Sequence, residues 1–575
     1  MGNKTILLAV GSLLLQTAIM AAPQLFGDGR SDYKIVVAAG AAESEQTAAR
    51  ELQAYIKLIS RAELPVVEAA EAGARHLVYV GFDSRVKAIT GAPVPDKDDE
   101  SFTYETRDGN LYIYGGRGRG TMYGVFTFLE RELGVRWYAT DCTVVPKRKA
   151  YRLGDLHVHE EPAIRYRFAQ YYNTMNDAWC GHNKNNTLWA ARRTAYGGVG
   201  AYWNAHTCGQ FVDAEELFES HPEYFAMRGG QRIADGQLCL TNPEVLSICI
   251  QEMLKAIQTY PDYWVYSMSQ NDNKLFCECK QCTALAERYQ AQSGVMLWFV
   301  NQVAAAVKEV YPDKYVGTFA YQYTRKAPVG IVPADNVVIR LCSIECCFAH
   351  PLDQCEHNKA FMADLKAWQQ IAPRLYIWDY VVNFAQYHAP FPNMQVLARN
   401  IQIFREHNAI GVQEEAQYQS PGGEFAELKS WLLARLLWNP YQPTQPLIEE
   451  FVRAYYGAAA DAVLEYIQMC RDLVTPQTVL GIFIRPNHEL FNDDFTAAAR
   501  RLLDSARKLV EGDSTLAARL DRVRMQPMFL HVMRSPEAAK ADGTSDEYFR
   551  LMRDNNYRPR ENKDVQAFIE EWEAR

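Results

Sequence analysis

Residues 263–282 read YWVYSMSQNDNKLFCECKQC. The first six are mostly β-branched or aromatic and the polar cluster 269–273 follows at once, a pattern that predicts a buried strand running into a loop. In a (β/α)8 barrel, the loops at the C-terminal ends of the strands build the active site. Asp272, flanked by Asn271 and Asn273, is therefore a candidate catalytic carboxylate. The alternative is a loop whose Asn and Asp side chains cap their own turn.

Six further short apolar runs lie between residues 160 and 440, and helical patterns separate several of them. Together with 263–268, the predicted strands are 164–171, 237–240, 315–321, 337–342, 375–380 and 410–414. Alternating strands and helices favour a parallel sheet, so we predict a central catalytic (β/α)8 barrel over 160–440. Glu414 ends the last run and could face Asp272 across the barrel mouth, as a glycosidase requires.

Two flanking domains complete the predicted α/β fold class. Residues 23–155 alternate strand and helix patterns and predict a small α/β domain, and residues 441–575 show helical spacing and predict an α-helical C-terminal domain. The glycine-rich run 115–120 lies between a strand and a helix. Its spacing departs from the dinucleotide-binding fingerprint, so we interpret these glycines as allowing close packing of the helix on the sheet.

Composition narrows the function classes. The chain has 575 residues, enough for several domains, and a formal net charge of −9 with no basic run. That charge argues against a nucleic-acid partner. Aromatic residues make up 12% of the chain, which suits a carbohydrate cleft, because aromatic faces stack on sugar rings, although a large core explains it almost as well.

The N-terminus predicts an export signal. Lys4 gives a positive start, residues 6–20 are mostly apolar, and Ala21 and Ala22 offer a small-residue cleavage site. We therefore predict a signal peptide over 1–22 and an exported protein, periplasmic or on the cell surface if the source is a Gram-negative bacterium. The apolar part is too short to favour a membrane span, and no other segment approaches the length of one.

Three cysteines lie close together directly after the candidate catalytic loop. Cys277, Cys279 and Cys282 with a fourth ligand from elsewhere would make a closed structural zinc site. In an exported protein the same thiols more often form disulfides, here with partners outside the trio. Either outcome would fix the loop that carries Asp272.

The N-terminal region resembles a known support domain. Residues 116–125 read GRGRGTMYGV and residues 128–138 read FLERELGVRWY. Both are similar to the non-catalytic α/β domain that precedes the barrel in β-hexosaminidases and α-glucuronidases. The resemblance implies a domain that packs on the barrel and takes no part in the reaction.

A second resemblance covers about residues 165–460. The motifs that carry it are WNAHT (203–207), HPEYFA (221–226), CLTNP (239–243), SQNDN (269–273), CECKQC (277–282), WDY (378–380), PN (392–393) and LLWNP (436–440). Together they resemble the domain of unknown function 4838, which includes the endo-β-N-acetylglucosaminidases of glycoside hydrolase family 163. Relatives read Phe-Glu-Gln-Gly around the residue matching Glu414, where this chain reads QEEA (413–416).

The resemblance implies hydrolysis of a β-linked N-acetylglucosamine in a glycan of the N-glycan type. In a substrate-assisted route the 2-acetamido oxygen of the sugar attacks the anomeric carbon, so the protein supplies an acid and a group that holds the acetamide. Glu414 is the expected general acid/base and Asp272 the expected acetamide-orienting group, with the roles exchangeable. Expected substrate contacts are Asn271, Asn273, His206, Tyr321, Trp378 and Tyr380, and catalysis needs no cofactor.

Other functions stay open from the sequence. One of the two carboxylates could instead act as the nucleophile of an ordinary retaining glycosidase. A uronic-acid hydrolase would share the N-terminal domain but would need a cationic clamp for the sugar carboxylate, for which the sequence shows no motif. A carbohydrate-binding protein without turnover is the third alternative, although a binding protein does not need an acid.

Overall fold

The computed structural model describes residues 22–68, 75–96, 98–187 and 194–574. The predicted signal peptide falls on residues 1–22, of which all but the last lie outside the described residues. Within the described ranges, no helix is both long enough and apolar enough to cross a lipid bilayer.

The N-terminal region is built on a six-stranded sheet of order β10-β5-β6-β4-β2-β3. Its elements are β1 Gln24–Gly27, β2 Lys34–Val37, α1 Glu43–Ser60, β3 Val66–Glu68, β4 Leu77–Val80, α2 Ser84–Thr90, β5 Phe102–Arg107, β6 Asn110–Gly115, α3 Gly120–Arg131, β7 Arg136–Ala139, β8 Cys142–Val144, β9 Ala150–Arg152 and β10 His157–Glu160. Apolar residues of α1 and α3 pack with the sheet in one core, because one stripe of each helix is hydrophobic.

The glycine-rich run before α3 lies against the sheet. A Cβ added to Gly116 would lie 1.7 Å from the carbonyl oxygen of Asp99, and one added to Gly120 would lie 2.3 Å from that of Ser101. Only glycine leaves room for these backbone contacts. This geometry agrees with the packing interpretation of the run.

The central region forms a nearly closed barrel of seven parallel strands, in the order β11-β19-β18-β17-β16-β15-β12. Its elements are β11 Tyr166–Gln170, α4 Asp177–His182, β12 Gly200–Trp203, α5 Cys208–Phe211, α6 Ala214–Leu217, β13 Met227–Arg228, β14 Gln231–Arg232, α7 Pro243–Thr259, β15 Tyr263–Ser267, α8 Lys280–Tyr289, α9 Gln292–Val310, β16 Tyr315–Ala320, β17 Val337–Cys342, α10 Lys359–Ile371, β18 Leu375–Tyr380, α11 Leu397–Glu406, β19 Ala409–Glu415 and α12 Ala426–Trp438. The predicted α/β fold class with a barrel of the (β/α)8 type is confirmed.

One predicted strand of the barrel is wrong. Residues 237–240 form a loop with a single bridge between Phe225 and Leu238, and the strand in this part of the chain is β12, which was not predicted. The apolar side chains of 237–240 are buried in the large hydrophobic core of the barrel and not within a sheet. A short apolar run does not distinguish these two kinds of burial.

The seam between β11 and β12 is closed by a short irregular segment. The Thr187 N–H donates a 3.1 Å hydrogen bond to the Arg167 carbonyl, and the Val199 N–H donates a 3.0 Å bond to the Asn186 carbonyl. Residues 186 and 187 therefore lie where an eighth strand would stand in a complete barrel.

The C-terminal region is helical. Its elements are α13 Thr444–Tyr456, α14 Ala460–Asp472, α15 Asp493–Leu509, α16 Ser514–Arg534, α17 Pro536–Ala541, α18 Thr544–Asn555 and α19 Val565–Glu573. These helices share one apolar core with the barrel. The domain boundaries 23–155, 160–440 and 441–575 stay a prediction.

Candidate active site

A cavity of about 770 Å³ opens at the C-terminal ends of the barrel strands. Each of the seven strands, or the loop that follows it, contributes to its wall. Four of the residues expected to contact substrate line it, namely His206, Tyr321, Trp378 and Tyr380, and so does Asp272. The barrel mouth therefore brings together most of the predicted site.

Strand register decides which side chains of β18 and β19 face the cavity. Trp378 pairs with Gln413 and Tyr380 pairs with Glu415, and all four line the cavity. Side chains alternate between the two faces of a strand. The carboxylate that β19 presents to the cavity is therefore that of Glu415.

Glu414 does not line the cavity, contrary to its expected role as the acid. Its side chain is 1% exposed and lies beside Asp379, its register partner on β18. Burial, with the neighbouring Asp379 charge, raises the pKa of Glu414 well above its usual range. Burial raises the pKa of Asp379 to about 6, although a hydrogen bond from Ser343 opposes this. The two carboxyl groups form a buried pair on the outer face of the barrel.

Glu415 has the properties of a general acid. Burial raises its pKa to about 8; Glu561 and Asp272 add to the rise, while the hydrogen bond from Trp378 and the charge of Arg340 oppose it. The Trp378 Nε1–H donates a 2.7 Å hydrogen bond to Oε2, which orients the carboxyl group. A carboxyl group with a pKa near 8 is mostly protonated at neutral pH, which is the form that a general acid requires.

Asp272 enters the cavity from the loop after β15. It is exposed, and its Oδ1 accepts a 3.0 Å hydrogen bond from the Tyr321 hydroxyl. The Gln322 Nε2–H in turn donates a 2.8 Å bond to that hydroxyl oxygen. The carboxylate is thus oriented by a two-step hydrogen-bond chain from the neighbouring strand end.

Asn271 and Asn273 serve the loop instead of the cavity. The Asn271 Oδ1 accepts from Gly209 N–H at 2.8 Å, and its Nδ2 donates to the Gly236 carbonyl at 3.0 Å. The Asn273 Oδ1 accepts from Leu275 N–H at 3.0 Å. Neither side chain lines the cavity, so their expected substrate contacts are not supported by this geometry.

His206 lines the cavity in a defined orientation. Its Nδ1 lies 2.7 Å from the Gln270 carbonyl oxygen. Because a carbonyl can only accept, Nδ1 carries the proton, and Nε2 is the acceptor in the neutral ring. The ring also packs edge-on against Phe319 at 5.2 Å.

A buried arginine that the sequence did not reveal forms part of the cavity wall. The Arg340 guanidinium lies 4.1 Å from the Trp378 ring centroid and 4.2 Å from that of Tyr202. It donates a hydrogen bond to the Gln413 side-chain oxygen, and its Nε has no hydrogen-bond partner within the described part of the chain. The inward alternation of β17 is the signal that could have identified it.

The C-terminal region completes the cavity. Phe483 lines it from the loop between α14 and α15 and is 62% exposed. Glu561 lines it from the segment between α18 and α19 and accepts a 2.9 Å hydrogen bond from the Tyr418 hydroxyl. These residues lie more than 60 positions beyond β19, and no local sequence pattern connects them to the barrel mouth.

A fourth cysteine, Cys239, lies beside Cys277, Cys279 and Cys282. The sulfur atoms of Cys239, Cys277, Cys279 and Cys282 all lie within 4.8 Å of one another, and the four residues are buried. All 13 cysteines of the chain lie within the described residues and are free thiols. The structure therefore contains a group of four potential metal ligands.

Comparison with known proteins gives a family match and similar folds. The family model described as "Domain of unknown function (DUF4838)" matches residues 137–468. A family 115 4-O-methyl-α-glucuronidase with specificity for decorated arabinogalactans is 12% identical with a TM-score of 0.60, over 94% of this chain and 78% of that one. A family 138 enzyme targeting pectin rhamnogalacturonan II is 12% identical with a TM-score of 0.50, over 94% and 98%. Among curated proteins, none matches this chain. The structural similarities concern the fold.

Proposed function

This chain belongs to the family described as domain of unknown function 4838, and from that premise we propose that it is a glycoside hydrolase with Glu415 as its general acid. The observation that carries the proposal is the partly buried carboxyl group of Glu415, its pKa raised to about 8, in a cavity that also holds the carboxylate of Asp272. Glycosidic hydrolysis uses such a pair: one carboxyl group with a raised pKa and one accessible carboxylate, both facing the same cavity.

The proposed reaction has two steps. Glu415 gives its proton to the glycosidic oxygen as the bond to the anomeric carbon breaks, and the sugar's acetamido oxygen attacks that carbon. The attack gives a cyclic oxazolinium ion fused to the sugar. Asp272 accepts a hydrogen bond from the acetamide N–H and stabilises the positive charge of that ion. In the second step, water attacks the anomeric carbon and breaks its bond to the acetamido oxygen, while the Glu415 carboxylate accepts a proton from that water. This step restores both the protonated acid and the acetamide.

The proposed substrate is a glycan with β-linked N-acetylglucosamine. The ordered motifs shared with the family that includes glycoside hydrolase family 163 support this class. Trp378 and Tyr380 present aromatic surface to the cavity, and their ring centroids lie 6.4 Å apart in a stacked arrangement. Such faces suit the apolar face of a sugar ring.

The test uses a neighbouring residue as its control. We expect wild type to cleave complex or high-mannose N-glycans, and Glu415→Gln and Asp272→Asn to lower kcat by about 10²–10⁴-fold. Glu414→Gln should keep most of the activity, because Glu414 faces away from the cavity. Loss of activity in Glu414→Gln together with an active Glu415→Gln would return the acid to Glu414.

A uronic-acid hydrolase is the second candidate, and Arg340 favours it. This buried cation lines the cavity and forms no ion pair with a carboxylate in the described part of the chain, so it could bind a sugar carboxylate. The similar family 115 structure is named an α-glucuronidase. Activity on aryl uronides that is lost in Arg340→Met would favour this candidate over the hexosaminidase. Arg374→Met is the control and should keep the activity, because the Arg374 guanidinium stacks on Tyr315 away from the cavity.

Export to the periplasm or cell surface is part of the proposal. It rests on the predicted signal peptide over residues 1–22 and fits a glycan substrate outside the cytoplasm. Mass spectrometry of the N-terminal peptide from a periplasmic or secreted fraction should show a chain that begins near Pro23. A chain that stays in the cytoplasm with residues 1–22 attached would contradict it.

A further inference from the structure

Four buried thiols meet beside the loop that carries Asp272. Cys239 follows the loop residues 237–238, Cys277 and Cys279 precede α8, and Cys282 lies in the first turn of that helix. Their exposed fractions range from 2% to 8%. The group is therefore enclosed by protein on all sides and drawn from two segments about 40 residues apart.

The spacing and surroundings of the sulfurs suit a tetrahedral ion. Zinc–sulfur bonds of about 2.3 Å place tetrahedral sulfurs about 3.8 Å apart, and Cys239 and Cys279 Sγ lie 3.7 Å apart. Backbone N–H groups also point at the sulfurs: Met227 donates to Cys277 at 3.4 Å and Cys282 donates to Cys279 at 3.5 Å. Such donors stabilise the negative charge of thiolate ligands.

We propose that Cys239, Cys277, Cys279 and Cys282 bind one Zn²⁺ as a closed structural site. Four thiolates fill a tetrahedral coordination shell and leave no position for water or substrate, so the ion has no part in the reaction. The Arg232 guanidinium, 3.8 Å from the Cys277 sulfur, offsets part of the negative charge of the four-thiolate complex.

The proposed ion would hold the Asp272 loop beside Asp272 and at its C-terminal end. Gln237, two residues before Cys239, accepts from Asn271 N–H at 2.9 Å and donates to the Asn271 and Asn273 carbonyls at 2.9 Å each. Cys277 ends the same loop. The four cysteines are thus positioning residues for Asp272, and a missing ion would loosen the carboxylate while the cavity wall from the other strands remained.

The first test measures metal in the full-length protein. Elemental analysis should find about one zinc per chain in wild type, a stoichiometry well below one in Cys239→Ser, and wild-type content in Cys249→Ser. Cys249 is a fully buried cysteine of nearby α7 that is outside the group. Absence of zinc in wild type, or full zinc content in Cys239→Ser, would overturn the proposal.

A second measurement on wild type covers the case in which the variant fails to fold. Replacing zinc with Co²⁺ should give the intense visible absorption of tetrahedral thiolate-bound cobalt. Thiol titration of the denatured protein without reductant should count 13 thiols once a chelator is present. A count four thiols lower, restored only by reductant, would show that the four cysteines form two disulfides. That result would overturn the zinc site.

Discussion

Glu414 and Glu415 are adjacent residues in opposite surroundings. Glu415 faces a cavity open to substrate, whereas Glu414 is enclosed beside a second carboxyl group. Burial raises the pKa of both side chains, but only a raised pKa at a substrate-facing atom can be used for proton donation. One position along β19 therefore separates the proposed acid from a buried carboxyl group that substrate cannot reach.

The alkaline limit of activity should follow Glu415. Since this acid works in its protonated form, kcat/KM should fall as pH rises through about 8. Glu561→Gln removes a charge that raises this pKa, so the limit should move to lower pH. Glu537→Gln, at an exposed position of α17, should leave the limit unchanged. Identical pH profiles in Glu561→Gln and wild type would contradict the assignment.

The Glu414 pair should make stability depend on pH. The folded pKa of Glu414 lies above its ordinary value of 4.5. Stability is therefore full below that pH and declines as pH rises towards the folded pKa. Glu414→Gln removes this penalty, and its amide can donate to Asp379. We expect the variant to equal wild type near pH 4.5 and to exceed it by about 1–3 kcal/mol near pH 8.

Thermal unfolding at the two pH values measures the difference. Glu465→Gln, an exposed position on α14, is the control and should show no such trend. A Glu414→Gln variant that loses stability as pH rises relative to wild type would contradict the buried-pair account.

At the level of elements, six of the seven predicted strands were correct, because their runs are long enough to show the pattern of a buried strand. Residues 237–240 are buried like a strand but form a loop, and a short apolar run does not distinguish the two. β12, which begins with Gly200 and Ala201, has too weak an apolar pattern to be recognised. The sequence placed a carboxylate at the end of β19 but not the register of β18 and β19, and that register turns Glu415 instead of Glu414 toward the cavity.

Trp438, the last residue of α12, packs into the core of the N-terminal region. The Trp438 ring stacks on Phe102 at 6.0 Å and meets Tyr123 edge-on at 5.5 Å. Its Nε1–H donates a 2.8 Å hydrogen bond to Glu160. A barrel helix thus supplies part of the core of the α/β region.

Trp438→Ala should therefore destabilise the protein strongly. Removing a buried tryptophan leaves a cavity and an unpaired Glu160 oxygen, for an expected loss of about 3–5 kcal/mol. Denaturant unfolding followed by circular dichroism measures it. Tyr441→Ala, 57% exposed three residues later, should lose less than about 0.5 kcal/mol. Equal losses in the two variants would show that the ring does not join the two regions.

At the scale of the whole molecule, the site is assembled from distant parts of the chain. The barrel supplies Glu415, Asp272 and Arg340, while the C-terminal region supplies Phe483 and Glu561. Helical spacing in the sequence predicts the helices of this region, but it does not show which of its residues reach the cavity. Such contacts depend on the tertiary arrangement of helices and have no periodic signature.

Phe483 should contribute to substrate binding without contributing to stability. An aromatic ring that is 62% exposed at the edge of the cavity can stack on a sugar beyond the scissile bond. We expect Phe483→Ala to raise KM by about 10-fold with little change in kcat or melting temperature. Leu509→Ala, 66% exposed on a C-terminal helix, is the control. Unchanged KM in Phe483→Ala would remove the ring from the binding site.

The split origin of the cavity has an evolutionary consequence. The family-matched segment ends at residue 468, so Glu415, the proposed acid, and Asp272 belong to it, whereas the wall formed by Phe483 and Glu561 lies outside. Relatives could share the reaction chemistry and diverge in preferred glycan by exchanging a few residues of this outer wall. Substrate preference across the family should therefore be sought in the helical region as well as in the matched barrel.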